Sequence, residues 1–225
     1  MGISNMVSNM DDEDLLIGVG ASGYNEATKS RILKSIRNSD SRTKSAKKKY
    51  GNGISVKGII VNISGEHYLR LREKKRESGK DWSDPEVLAP DNEIGPCQAG
   101  AFFHAKRDAA ATGTRGGFVY EVQDNKSFIK GKISIAWENP WDHVSGGPFV
   151  SCIRVSRDTN LLPECLDWCA SNRTSKLDSD LTIPEGKELK RYIDVSVLQE
   201  NKTTAYLVVS IQTNDLVKEV FEDFG

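Results

Sequence analysis

The chain has 225 residues, enough to bury a core of its own, and its 31 basic and 32 acidic residues leave a net charge of −1, which argues against nucleic-acid binding by bulk electrostatics. No apolar run approaches the length of a spanning helix, and residues 1–20 lack a cationic start followed by a hydrophobic block. The composition predicts a soluble protein, cytosolic or released without an evident signal peptide.

The first fifty residues differ from the rest. Four acids at 11–14 precede an apolar stretch at 15–19, and residues 29–49 carry nine basic side chains against the single acid Asp40. Apolar positions are few between 25 and 38 (Ala27, Ile32, Leu33, Ile36), which predicts a narrow amphipathic helix or a cationic arm. Residues 1–50 therefore read as a polar N-terminal segment, partly helical or disordered. Residues 51–215 read as one β domain, and 216–225 as a charged, amphipathic C-terminal tail.

Residues 54–62 predict a first strand and 67–73 a half-exposed second one. The charged stretch 73–82 reads as a hairpin loop around Ser78-Gly79, and 85–98, with three prolines, as an irregular edge. Three apolar runs follow at 101–104, 118–122 and 133–137, with glycine-rich chain at 109–117 between the first two; this pattern predicts an antiparallel meander. A turn at Asn139-Pro140-Trp141-Asp142 closes it. Pro140 fixes its own φ and biases Asn139 toward extended geometry, so the tip is stiff. Trp137, ending an apolar run, reads as a core residue; Trp141 is either loop packing or an exposed indole suited to a membrane interface. A strand at 149–155, a short helix at 163–170 and a closing hairpin of 189–198 with 203–213 complete an all-β pattern, a β-sandwich with one or two short helices.

Four cysteines without CxxC spacing, and only three histidines, argue against a zinc site, and the thiols read as reduced. No cofactor is implied. There is no Gly-x-Ser-x-Gly motif, His104 and Asp108 read as a surface contact, and Glu138 with Asp142 lacks an inferable sugar groove, so an enzyme is not expected.

Two motifs carry a family resemblance: Ala111-Thr112-Gly113 leading through Arg115 into the strand at 118–120, and Trp137-Glu138-Asn139-Pro140-Trp141-Asp142. With Arg76-Glu77-Ser78-Gly79 and the strand at 204–211, residues 54–213 resemble the actinoporin-like cytolysins. The segment Arg107-Asp108-Ala109-Ala110 and Asn139-Pro140-Trp141 also resemble aegerolysins. The first resemblance implies a β-sandwich that binds phosphocholine lipids, inserts an N-terminal helix and forms pores, a monomer in solution that becomes a homo-oligomer on the membrane. Carried over by position, it implies a headgroup site at Ser78, Arg115, Glu138, Pro140, Gly146 and Trp168, with Trp141 and Asp142 on the membrane-contacting loop. A quaternary ammonium is suited by Glu138 and Trp168, and a phosphate by Ser78 and Arg115. Another headgroup, or a glycan bound by a non-lytic lectin or lipid-binding module of the same fold, stays open, as does an ordinary salt bridge between Glu138 and Arg115.

Overall fold

The computed structural model describes residues 7, 10–109, 112–141, 150–171, 192–201 and 203–222. It contains two helices, α1 (Asp12–Gly18) and α2 (Glu26–Tyr50), followed by strands β1 (Ser55–Asn62), β2 (Tyr68–Ser78), β3 (Glu93–Ile94), β4 (Gln98–Ala105), β5 (Thr114–Gln123), β6 (Ile129–Asn139) and β7 (Val150–Ser156). Helix α3 (Leu162–Ser171), strands β8 (Ile193–Asn201) and β9 (Thr204–Ile211), helix α4 (Thr213–Leu216) and a π-helical stretch (Val217–Glu222) complete it.

The strands form two sheets, ordered β4-β1-β9-β8 and β3-β2-β5-β6-β7. β1 runs parallel to β9; every other pairing is antiparallel. Alternation along the strands sends Val56, Ile60, Phe102, Leu207 and Val209 inward from one sheet and Phe118, Tyr120, Ile133, Ile135 and Trp137 inward from the other, where they merge into one core. This is a β-sandwich, as the spacing of short strands predicts.

The predicted meander is corrected at its first strand. β5, β6 and β7 are consecutive neighbours, but β4 pairs with β1 in the opposite sheet, so the glycine-rich link before β5 joins two sheets rather than closing a hairpin. β2 also runs to Ser78, through the charged stretch 73–78 that reads as a loop. Its backbone pairs with β5 throughout; Glu73, Lys74 and Lys75 are exposed, and Glu77 reaches Arg115.

The N-terminal segment differs most from expectation. Asn25 caps α2 by accepting from the Thr28 amide at 3.0 Å, and Gly51 ends it with φ +85°, a backbone geometry that favours glycine. The 25-residue helix lies on the outer face of the β4-β1-β9-β8 sheet. Ile32 and Ile36 meet Ile59, Val61, Tyr206 and, from α1, Leu15 and Leu16. Beyond Ile36 the buried face continues through polar residues that make hydrogen bonds. The Ser39 hydroxyl donates to the Ala99 carbonyl at 2.9 Å, and Asp40 accepts from the Tyr206 hydroxyl at 2.9 Å. An apolar count reads this face as narrow because it cannot register those bonds. In the C-terminal stretch Leu216, Val217 and Phe221, the apolar side of the amphipathic pattern, are buried in the main core.

Candidate functional site

Hairpin register sets the site at the end of the sandwich where β2 stops and β6 reaches Pro140. Ser78 stands opposite Arg115, and Arg115 opposite Glu138, so the three form one row across β2, β5 and β6. Their side chains share the sheet's outer face, which α3 covers through Leu162, Cys165, Leu166 and Cys169. The Ser78 hydroxyl donates to the Gly113 carbonyl at 3.3 Å. Arg115 lies 2.9 Å from the carboxylate of Glu77, at the irregularity between Arg76 and Ser78, and also donates to the Leu166 carbonyl of α3. Its guanidinium thus ties three elements together.

Trp168 is half-buried on α3, its ring centroid 5.7 Å from the Arg154 guanidinium of β7. Pro140 is half-buried just past β6, and Trp141 beyond it is 50% exposed. Lys106, at the end of β4, lies over the Trp141 ring with its ammonium 3.5 Å from the centroid. Ser78, Arg115 and Glu138 are therefore brought together directly, Trp168 joins the same face through α3, and Trp141 leans toward the other sheet. Asp142 and Gly146 lie outside the described residues.

Trp137 is buried, as its place in an apolar run predicts. The contact between His104 and Asp108 is not formed. His104 is fully buried, its ring 4.5 Å from that of Trp82; Nε2–H donates to the Lys80 carbonyl at 3.0 Å, and Nδ1 faces the Thr114 hydroxyl. The carbonyl can only accept, which fixes the neutral tautomer. Burial is the main cause that lowers the His104 pKa to about 4. Asp108 instead meets the buried Lys80 at 2.8 Å, which Glu86 approaches to 2.6 Å.

The sequence reading missed Lys106 and the end of α2 as parts of this pole. The Tyr50 hydroxyl donates to the Lys106 carbonyl at 3.3 Å, which brings the Lys47-Lys48-Lys49 turn beside Trp141's partner. The signal was the lysine run itself, read as belonging to a solvated arm. A second exposed apolar pair, Phe128 at 64% and Ile129 at 52%, sits at the β5–β6 tip, at the far end of the ladder that pairs Thr114 with Asn139 and Gln123 with Ile129. That tip is about 30 Å from Trp141 by strand rise.

Gly113 lets the chain pass beneath the Pro140 turn: a Cβ there would overlap the Asn139 carbonyl oxygen and reach the Pro140 Cα. The Gly113→Ala variant is expected to lose about 1–3 kcal/mol of stability, because backbone rather than a flexible side chain must yield. Urea unfolding reads that loss, and near-UV dichroism reports the tryptophan surroundings.

The model of the Nakanori-like protein family matches residues 28–158. This chain belongs to that family. The matched segment takes in all but the first two residues of α2, so the helix is part of the Nakanori-like unit rather than an appendage. Among solved structures, this Nakanori-like chain is similar to the crystal structure of lipid binding protein Nakanori, with a TM-score of 0.59 and 18% identity over 91% of this chain and 92% of that one. Weaker likenesses are to RahU protein in complex with TRIS (TM-score 0.36, 13% identity, 70% of this chain and 95% of that) and to IP-1A from Alcaligenes faecalis (TM-score 0.33, 11% identity, 70% and 90%). No curated protein matches the chain.

Proposed function

We propose that this Nakanori-like protein binds lipid membranes, docking by the pole that carries Trp141, and that it does so without inserting α2. The observation that carries the reading is the half-exposed Trp141 on a proline-stiffened end of β6 with a lysine over its ring. An indole has an apolar body and one N–H, which suits it to the boundary between headgroup and acyl chain. The solved structure with the same fold is of a protein described as lipid binding, which supports the same class of ligand. The row Ser78, Arg115 and Glu138, with Trp168 on the same face, supplies the polar groups that would meet a headgroup.

Pore formation, which the actinoporin resemblance implies, would require α2 to leave the sheet. Its buried face carries Ser39 and Asp40, which hydrocarbon would leave without the Ala99 carbonyl and Tyr206 hydroxyl that the sheet gives them. Among the described residues, no helix is long and apolar enough to cross a membrane.

Co-sedimentation with phosphatidylcholine vesicles tests the reading. The wild-type chain binds, and Trp141→Ala weakens binding about tenfold, the worth of the indole area it withdraws. Entrapped dye stays inside; release by the full chain would restore the pore reading, and wild-type protein left in the supernatant would end the lipid one.

A further inference from the structure

Resting on the lipid-binding reading above, we propose that the membrane surface this pole recognises is anionic, and that the last turn of α2 forms part of the docking face. Four cations belong to this end of the molecule: Lys106 over the Trp141 indole, Arg107 next to it in the chain, and Lys48 and Lys49 beside Tyr50, whose hydroxyl reaches the Lys106 carbonyl. Lys48, Lys49 and Arg107 are exposed, and the Tyr50 bond to the Lys106 carbonyl holds the helix end against β4. Among the described residues none of the four is in an ion pair.

Most other cations nearby are committed. On α2, Lys29, Arg37, Arg42 and Lys44 pair with Glu26, Asp12, Asp91 and Asp40. Lys47 donates to the Gly53 carbonyl and the Ser55 hydroxyl, and Lys57 holds Glu200 at 2.6 Å. Of the described acids of this pole, Asp81 meets Arg76, and Asp84, Glu86 and Asp108 converge on Lys80, which leaves two negative charges against the four cations. Arg31 and Lys34 are also exposed, but they stand about 20 Å or more up the helix. Uncompensated positive charge therefore gathers where the exposed tryptophan is, the combination that an acidic leaflet attracts and an aromatic anchors.

The opposite pole offers apolar surface with less of that charge: Lys126 is the exposed cation beside Phe128. Phe128 and Ile129 are exposed there, but Lys130 is shared by Asp124 and Glu222 at 3.7 and 3.6 Å, and Lys132 donates to the Asp158 carbonyl. Charge complementarity thus selects the Trp141 end to face the lipid.

The test compares full-chain binding to vesicles of phosphatidylcholine alone with vesicles containing about 30 mol % phosphatidylserine, at low and raised salt. The wild-type protein binds the anionic vesicles more tightly, and raised salt removes the gain. The double variant Lys48→Gln/Lys49→Gln loses on the order of twenty-five-fold of the anionic-over-zwitterionic ratio, about fivefold per charge. Phe128→Ser leaves the ratio unchanged. Equal affinity for the two vesicles, or a double variant with the wild-type ratio, overturns the inference while leaving lipid binding intact. A ratio that falls with Phe128→Ser overturns the orientation, and binding to neither vesicle overturns the lipid reading with it.

Discussion

Trp137→Ala lowers the free energy of unfolding by about 3–5 kcal/mol, the range for removing a large aromatic from a packed core. The indole is 2% exposed, and its ring lies 4.8 Å from Phe102, 5.5 Å from Phe118, 5.9 Å from Trp82 and 5.7 Å from His104, centroid to centroid. The neighbours belong to both sheets and to the loop after β2, and β-sheet backbones on each side limit how far the site can collapse. A melting temperature lower by about 10 °C is expected, taking 2–4 °C per kcal/mol for a chain of this size. Trp137 is also three residues before Pro140, so the variant is expected to weaken vesicle binding by loosening the turn that presents Trp141. A loss below about 1 kcal/mol in urea would mean that this cluster does not hold the end of the sandwich together.

Acid destabilises the protein through His104. The folded state holds its pKa at about 4 against an ordinary 6.5, because burial penalises the imidazolium. Between those values the unfolded chain takes up a proton that the folded chain refuses, so stability falls as pH drops from about 6.5 toward about 4. The full effect is about 3 kcal/mol, with no discount for solvent screening because the ring is fully buried. Arg76 adds to the lowering, while the Lys80 carbonyl and Asp81 oppose it. Urea midpoints measured at pH 7 and pH 4.5 read the wild-type loss. Carboxylates contribute their own slope in acid, so the comparison is with His104→Gln, which shares them: the variant starts less stable and changes less. Parallel pH profiles for the two proteins would remove His104 from the account.

The sandwich was legible because its strands obey simple rules. Alternating β-branched and aromatic residues at 54–62, 118–122, 133–137 and 204–211 mark β1, β5, β6 and β9, and the polar tip around 201–203 marks the last hairpin. Pairing was less so: nothing local to 98–105 says that β4 joins β1 rather than β5, since a hairpin and a crossover between sheets both need glycine and polar residues. The charged end of β2 was hidden because its side chains are polar and make ion pairs and hydrogen bonds, as Glu77 does with Arg115, instead of showing apolar alternation. In α2 the hydrogen-bonded Ser39 and Asp40 replace the apolar residues by which a buried face is usually recognised. Within the candidate site, the row of Ser78, Arg115 and Glu138 follows from strand register and was reachable through motif resemblance. Its extension to Lys106 and the last turn of α2 was not, because it joins residues far apart in sequence through the bond between Tyr50 and the Lys106 carbonyl and the stacking of Lys106 on Trp141.

The claim that the Trp141 pole faces lipid is tested most directly by an environment-sensitive fluorophore placed at position 141 in one protein and at position 128 in another, each mixed with anionic vesicles. Emission at 141 is expected to be blue-shifted and brighter, and at 128 to keep an aqueous spectrum. A shift at 128 with none at 141 would contradict that claim.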